Sequence, residues 1–232
     1  MNLNEIIRKR KSIRKYDPAP LDAAVMEALR AQIAKVKPLY PGIGYSIEFV
    51  SKTKGLFNVK APHYLVFGSE EMDGACENIG FIGQQLDLYF SGAGLGSCWL
   101  GVSKPEAGLS TALPFVASMS FGKPAEPLHR AVSDFRRKKL SEICEGSDER
   151  LEAARLAPSG MNNQNWYFVA GNGCIHCYRK KTLLSFTSRM GRIDMGIALC
   201  HIAVGSDDFC FAKEADAPGR RGSSYVGTVL GG

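Results

Sequence analysis

Ala157-Pro-Ser-Gly-Met-Asn-Asn-Gln-Asn-Trp-Tyr-Phe168 has the composition of a junction between a helix and a strand. Upstream, Leu151, Ala154 and Leu156 give a short apolar helical face. Pro158 should end that helix, because the residue before a proline is pushed out of helical geometry. Downstream, Trp166-Tyr-Phe-Val169 is aromatic and branched, which suits a strand. Between them Ser159, Asn162, Asn163, Gln164 and Asn165 form a dense set of neutral hydrogen-bonding groups. Such a loop can present donors and acceptors to the edge of a flat, polar heteroaromatic ring, but it offers no nucleophile–base pair and no metal-ligand set. A turn rich in Asn and Ser for conformational reasons alone would have the same composition. The rest of the chain has to decide between the two.

Composition narrows the classes. The 232 residues suffice for one large core or two small ones, and the apolar fraction of 45% is ordinary for a globular protein. No apolar run approaches the roughly 18–20 residues of a membrane span. The N-terminus reaches basic residues before any apolar run, which is not a secretory signal, so a cytoplasmic location is expected. A net charge of +6, from 29 basic and 23 acidic residues, suits an anionic ligand and is too modest to imply nucleic acid. Basic residues cluster at Arg8 to Lys11 with Arg14 and Lys15, at Arg136 to Lys139, and at Arg179 to Lys181. The seven cysteines are odd in number and lack framework spacing, which points to reduced thiols. Cys174-Ile-His-Cys177 alternates like a strand and has no second pair to make a metal site.

Taken in order, a short helix around Leu3, Ile6 and Ile7 leads into the basic segment. A second helix is expected over 21–36, strands over 45–50 and 63–67, and a long helix from Asn78 to Ala93 ending at a left-handed glycine, Gly92 or Gly94. Gly80 and Gly83 inside that helix imply a close approach of another helix or of a ligand. Strands follow at Gly96–Gly101 and Val116–Phe121. The second half retraces this order: a helix capped by Ser147, the loop at 157–165, the strand from Trp166, a hairpin-like region from Cys174 to Phe186, and a long helix carrying Met190, Ile193, Ile197, Cys200 and Val204. Asp194-Met-Gly196 echoes Asn78-Ile-Gly80. Such a repeat implies internal duplication, with two pseudo-symmetric lobes, 1–144 and 145–232, packed long helix against long helix. His63 and His201 each lie within an apolar element and are expected to be structural.

Four pieces, Arg10-Lys-Ser-Ile-Arg14, Gly94-Leu-Gly-Ser-Cys-Trp-Leu-Gly101, Phe121-Gly-Lys-Pro124 and Pro158-Ser-Gly-Met-Asn-Asn-Gln164, together resemble the nitroreductase family of FMN-dependent oxidoreductases. The resemblance covers most of 1–144 and, more weakly, 145–210. It implies an α+β fold with mixed, mainly antiparallel sheets and long helices. It also implies FMN as cofactor, with hydride passing from NAD(P)H to a small organic acceptor such as a nitroaromatic, quinone or enone. By that resemblance Arg10, Ser12 and Arg14 would hold the FMN phosphate, with Arg137 and Lys139 as a second basic cluster. Trp99, Leu100 and Gly101 would pass the reactive edge of the flavin, and Pro158, Ser159, Gly160 and Asn162 would contact it from the second lobe. Arg14, and after it Lys54, is the expected cation near the flavin pyrimidine. No side-chain acid or base, metal, nucleic acid or membrane partner is expected.

Two departures stand out. The family loop normally follows the first helix, yet Pro38-Leu-Tyr-Pro-Gly-Ile-Gly44 lacks Ser and Asn; Asn165 also stands where proline often precedes tryptophan. Each half then carries one part of a site, which implies a monomeric pseudodimer with one FMN per chain. An FMN enzyme that oxidises a metabolite without NAD(P)H, and a flavin-binding module without turnover, remain alternatives.

Overall fold

The computed structural model describes residues 2–55, 58–106, 112–182 and 184–231. The first half runs α1 (Leu3–Ile7), α2 (Ala23–Ile33), β1 (Tyr45–Val50), β2 (Thr53–Lys54), β3 (His63–Ser69), α3 (Ala75–Gly92), β4 (Gly96–Leu100), β5 (Lys104–Pro105) and β6 (Phe115–Gly122). The second runs α4 (Leu140–Ile143), β7 (Cys144–Glu145), α5 (Leu151–Leu156), β8 (Trp166–Gly171), β9 (Cys174–Lys180), α6 (Ser185–Val204), β10 (Cys210–Ala212) and β11 (Ser223–Leu230). The strands from each half keep to separate sheets: β1-β3-β6-β4 is antiparallel throughout, and β10-β11-β9-β8-β7 is antiparallel except at β7/β8. This is the α+β arrangement of mainly antiparallel sheets and long helices that the motifs imply.

The two long helices join the sheets. α3 packs on β3, β4 and β6, α6 packs on β8 and β9, and the helices pack on each other. Glycine makes that crossing possible. A Cβ at Gly80 would lie 2.1 Å from the Ile193 carbonyl oxygen, and one at Gly196 would lie 1.9 Å from that of Glu77. Gly196 therefore stands to Glu77 as Gly80 stands to Ile193, a reciprocal contact of the kind a two-fold axis generates. Gly83 serves a different contact: a Cβ there would meet the Trp99 ring at 2.3 Å. Apolar Ile79, Ile82, Leu86 and Phe90 on one helix and Ile197, Ala198 and Ile202 on the other are buried in one continuous core. Fully burying each large side chain stabilises the fold by about 1.5–3 kcal/mol.

Several expected boundaries shift. α3 ends with Gly94 at φ +80, a left-handed glycine as expected. Ser147 does not cap a helix: α5 begins at Leu151, and Asp148 instead accepts the Arg150 amide at 2.9 Å and pairs with its guanidinium at 2.7 Å. α2 covers 23–33 and buries only Leu29, with Leu21 and Val36 buried just beyond its ends. α6 starts at Ser185, so the hairpin-like region ends at β9; Leu183, within that expected region, lies outside the described residues. The sheet strand β11 carries an interior Gly227 and was not anticipated.

Candidate functional site

A cavity of about 430 Å³ opens where the first sheet, the N-terminal segment and α6 meet. The N-terminal segment contributes Ser12 and Arg14, β4 and its exit contribute Cys98 to Val102, and the loop before β8 contributes Pro158 to Met161. Met190, Ile193, Asp194 and Ile197 of α6 form a further wall. Three stretches far apart in sequence thus border one cavity.

Each stretch is held by identifiable bonds. The Glu126 carboxylate accepts the amides of Arg14 at 2.7 Å and Lys15 at 3.1 Å and meets the Lys11 ammonium at 3.2 Å, which holds its own proton affinity below the usual carboxylate range. This fixes the Arg14 backbone and leaves its side chain free. Among the described residues the Arg14 guanidinium makes no ion pair. Trp99 stacks on Phe67 and donates from its ring nitrogen to Gln84 at 3.1 Å. Gln84 in turn bonds Asp87 at 2.9 Å and the His201 ring at 3.0 Å. Among the described residues, a Cβ at Gly101 would meet no atom within 4 Å, so packing against them does not explain the glycine, which lies in the cavity wall.

The loop at 158–164 is bent sharply. Met161, Asn162 and Gln164 all have positive φ, at 51°, 57° and 49°, an arrangement that Asn tolerates and Met does not favour. Bonds to the basic segment hold it. Asn162 accepts from the Arg137 guanidinium and donates to the Arg136 carbonyl at 2.7 Å, and Gln164 accepts the Lys138 amide at 2.8 Å. Within the loop, Ser159 accepts the Gln164 amide at 3.0 Å. Met161 is consequently 82% exposed at the cavity mouth.

Of the twelve residues expected from sequence, Ser12, Arg14, Trp99, Leu100, Gly101, Pro158, Ser159 and Gly160 line the cavity. Four do not. Arg10 is 1% exposed, with its guanidinium 2.9 Å from Asp87, so the expected pair of free guanidinium forks reduces to Arg14. Arg137 and Asn162 bond each other, and Lys139 is exposed, its amide donating to Glu142. Lys54 lies in β2, paired with β5 away from the cavity wall. His63 accepts the Leu21 amide at 2.8 Å, and His201 bonds the Ala153 carbonyl at 2.8 Å; burial brings the His201 ring down to about 3, which keeps it neutral.

Two residues were missed. Arg130 stacks on Phe135, and its segment pairs with Lys9 and Arg10. Burial and then the Arg10 charge bring its guanidinium down to about 10; burial and then the charges of Arg130, Arg10 and Arg155 bring Arg137 to about 9. Among the described residues the buried Nε atoms of Arg130 and Arg137 have no hydrogen-bond partner. Guanidiniums that repel one another and leave donors unmet form a setting that an anion would relieve. The second missed residue is Asp194, a carboxyl on an otherwise apolar helix face. It is 4% exposed, accepts the Gly160 amide at 2.9 Å, and is pushed by burial up to about 7. Its sequence signal was present in the echo of Asn78-Ile-Gly80, read there as repetition only.

These elements fit FMN: a slot between apolar walls, a glycine edge without a protein neighbour, a free guanidinium, and an unmet cationic cluster nearby. A family model described as "Putative TM nitroreductase" matches residues 2–206. A Thermotoga maritima crystal structure of the same description superposes with a TM-score of 0.71 at 20% identity, covering 99% of this chain and 94% of that one, and shows the fold to be shared. A nitroreductase family protein from Clostridium difficile 630 aligns at 17% identity and TM-score 0.49, covering 64% of this chain and 99% of its own. An FMN-dependent nitroreductase from Clostridium difficile R20291 aligns at 16% and 0.48, covering 62% and 98%. No curated protein matches the sequence. Among the described residues no helix is long and apolar enough to cross a membrane.

Proposed function

This chain belongs to the nitroreductase family, and we propose that it is an FMN-dependent oxidoreductase acting from NAD(P)H on a small organic acceptor, a nitroaromatic, quinone or enone. Bound FMN would supply the hydride chemistry, while the protein supplies position, charge and exclusion of water. The carrying observation is the cavity wall itself, which joins Ser12 and Arg14, Trp99 to Gly101, and Pro158 to Gly160.

Within this reading Ser12 and Arg14 bind the anionic end of the cofactor, and Arg130 and Arg137 add long-range attraction from beside the cavity. Trp99 and Leu100 hold the ring edge, with Gly101 leaving room for close approach. Met190, Ile193 and Ile197 keep water from one face. Ser159 and the Gly160 backbone arrive from the second half of the chain. We therefore treat residues 1–144 and 145–232 as two lobes of a single-chain pseudodimer that shares one site, and place the protein, with its seven free cysteines, in the cytoplasm.

The visible spectrum of the purified protein tests the cofactor. A yellow protein with FMN absorption, bleached anaerobically by NADH or NADPH, is expected. A protein that stays colourless after FMN addition contradicts the reading. Tight FMN that neither nucleotide reduces would favour a flavin-binding module or a metabolite oxidase.

A further inference from the structure

Asp194 invites a comparison that the molecule itself supplies. Asn78 occupies the corresponding place on α3, two residues before the crossing glycine Gly80 as Asp194 is two before Gly196. The two side chains anchor a loop in the same way. Asn78 accepts the Tyr40 amide at 3.0 Å, and Asp194 accepts the Gly160 amide at 2.9 Å. Each amide lies two residues after a loop proline, Pro38 and Pro158. Anchoring the loop therefore needs only an amide oxygen. A carboxyl at 194 brings something that anchoring does not require, and it is the one of the two that lines the large cavity.

The surroundings leave that carboxyl available. Among the described residues the Gly160 amide is its sole side-chain hydrogen-bond partner, so its second oxygen has none from the protein. Among those residues, too, Arg14 is the only other charged group in the cavity wall. On α6 itself, Arg189 is bonded to the Phe115 and Val116 carbonyls and Arg192 to Asp73. On α3, Asp87 is paired with Arg10 and Glu77 faces a separate pocket. The loop from Pro158 to Asn165 and the wall residues of β4 and β6 carry no charge. A carboxyl buried without a cation keeps its proton far above the usual carboxylate range, and burial raises Asp194 to about 7, so that it titrates near neutral pH.

We propose that Asp194 is the proton-carrying group of this cavity: it hydrogen-bonds the bound acceptor and delivers the proton that accompanies the two electrons of reduction. This rests on the flavin reading for the source of the hydride. When a quinone or enone takes a hydride equivalent, an electron pair and one hydrogen are added and its oxygen becomes negative. The Asp194 O–H bond then breaks as the product O–H bond forms. The carboxylate left behind takes a proton from water at the cavity mouth, restoring the starting state. A catalytic acid whose proton affinity lies near the working pH is best matched to this duty.

The test is Asp194→Asn, which keeps the loop anchor in the form that Asn78 uses. Infrared difference spectra of the cofactor-free protein should show a protonated carboxyl carbonyl band that titrates near neutral pH in the wild type and is absent from the variant. With FMN bound, the variant should retain cofactor affinity and reduction by NAD(P)H. Its reoxidation by a quinone should fall roughly 100-fold and lose its dependence on pH near neutrality. A wild type without the titrating band, or a variant that keeps both rate and pH profile, would overturn the assignment. Failure of FMN to bind the wild type would count against the flavin reading and with it the role of Asp194 in reduction, whereas FMN that binds and is reduced in both proteins, with reoxidation unchanged in the variant, would count against the Asp194 assignment alone. If the variant does not fold, the wild-type band alone decides.

Discussion

The loop–helix junctions at Pro38–Tyr40 and Pro158–Gly160 are built on one plan and end in opposite states. In the second, a small residue on the loop faces a large one on the helix: a Cβ at Gly160 would lie 1.9 Å from the Met190 sulfur. In the first the sizes are exchanged, with the Tyr40 ring lying 2.7 Å from where a Cβ on Gly74 would be. Tyr40 also packs edge-on against Phe211, 5.9 Å away. What remains there is a polar pocket of about 110 Å³ lined by Asp73, Glu77, Arg179 and Tyr225, against about 430 Å³ at the other junction. One fold therefore offers the same geometric opportunity twice, and side-chain size on the loop separates the open junction from the closed one. Charge differs too: among the described residues Arg14 is the one basic group in the open cavity's wall, whereas the closed pocket gathers Arg179, Arg192 and Lys213 with Asp73 and Glu77, and Asp73 pairs with Arg192 and Lys213.

Exchanging the residues should break the comparison most sharply. Gly160→Tyr copies Tyr40 into the open junction, displaces Met190 and is expected to weaken FMN binding roughly 100-fold, by the usual cost of overpacking. Flavin fluorescence quenching reads this directly, and unchanged affinity would mean that the cavity is not the cofactor site. Arg14→Gln removes the free cation while leaving the backbone anchored on Glu126. Affinity should fall roughly tenfold, with a weaker dependence on salt than in the wild type.

Asp194→Asn sharpens the contrast with Asn78 through stability. The folded protein holds the Asp194 proton up to about pH 7, against an ordinary value of 3.8. Its contribution is therefore fully present below the ordinary value and is lost as pH rises toward about 7. Denaturant midpoints of the cofactor-free wild type should decline across that window, and the variant should lack the part of the decline that Asp194 causes. Tyr40→Ala has the smallest expected effect on the cofactor. It should lower stability by about 2 kcal/mol through lost packing and leave FMN affinity and stoichiometry unchanged, because Tyr40 is no part of the larger cavity's wall.

What the sequence disclosed, and what it concealed, divides along the same physical lines. Helices α3 and α6 were legible because apolar periodicity and paired glycines are local signals, and the Gly80 and Gly196 echo marked the crossing. The motifs at 10–14, 94–101 and 158–164 were legible as types, yet their mutual placement depends on contacts across the fold. Arg10 carried the expected motif and was claimed by Asp87, 77 residues away. Arg137 looked like a ligand-binding cation, but it and its neighbour Lys138 bond the 162–164 loop and hold it in place. Asp194 stayed hidden because a carboxyl on an apolar helix face resembles an exposed turn position until the neighbouring helix and loop are seen to cover it. Strand β11 was concealed by its interior glycine, which Phe211 fills from the neighbouring strand: a Cβ at Gly227 would lie 2.4 Å from that ring.

The central claim is one cofactor site per chain, assembled from both halves. Equilibrium dialysis of the cofactor-free protein against FMN measures it most directly. The account predicts saturation at one FMN per chain, lost in Gly160→Tyr and retained in Tyr40→Ala. Saturation at two per chain, or one per chain that survives Gly160→Tyr and disappears in Tyr40→Ala, would contradict it.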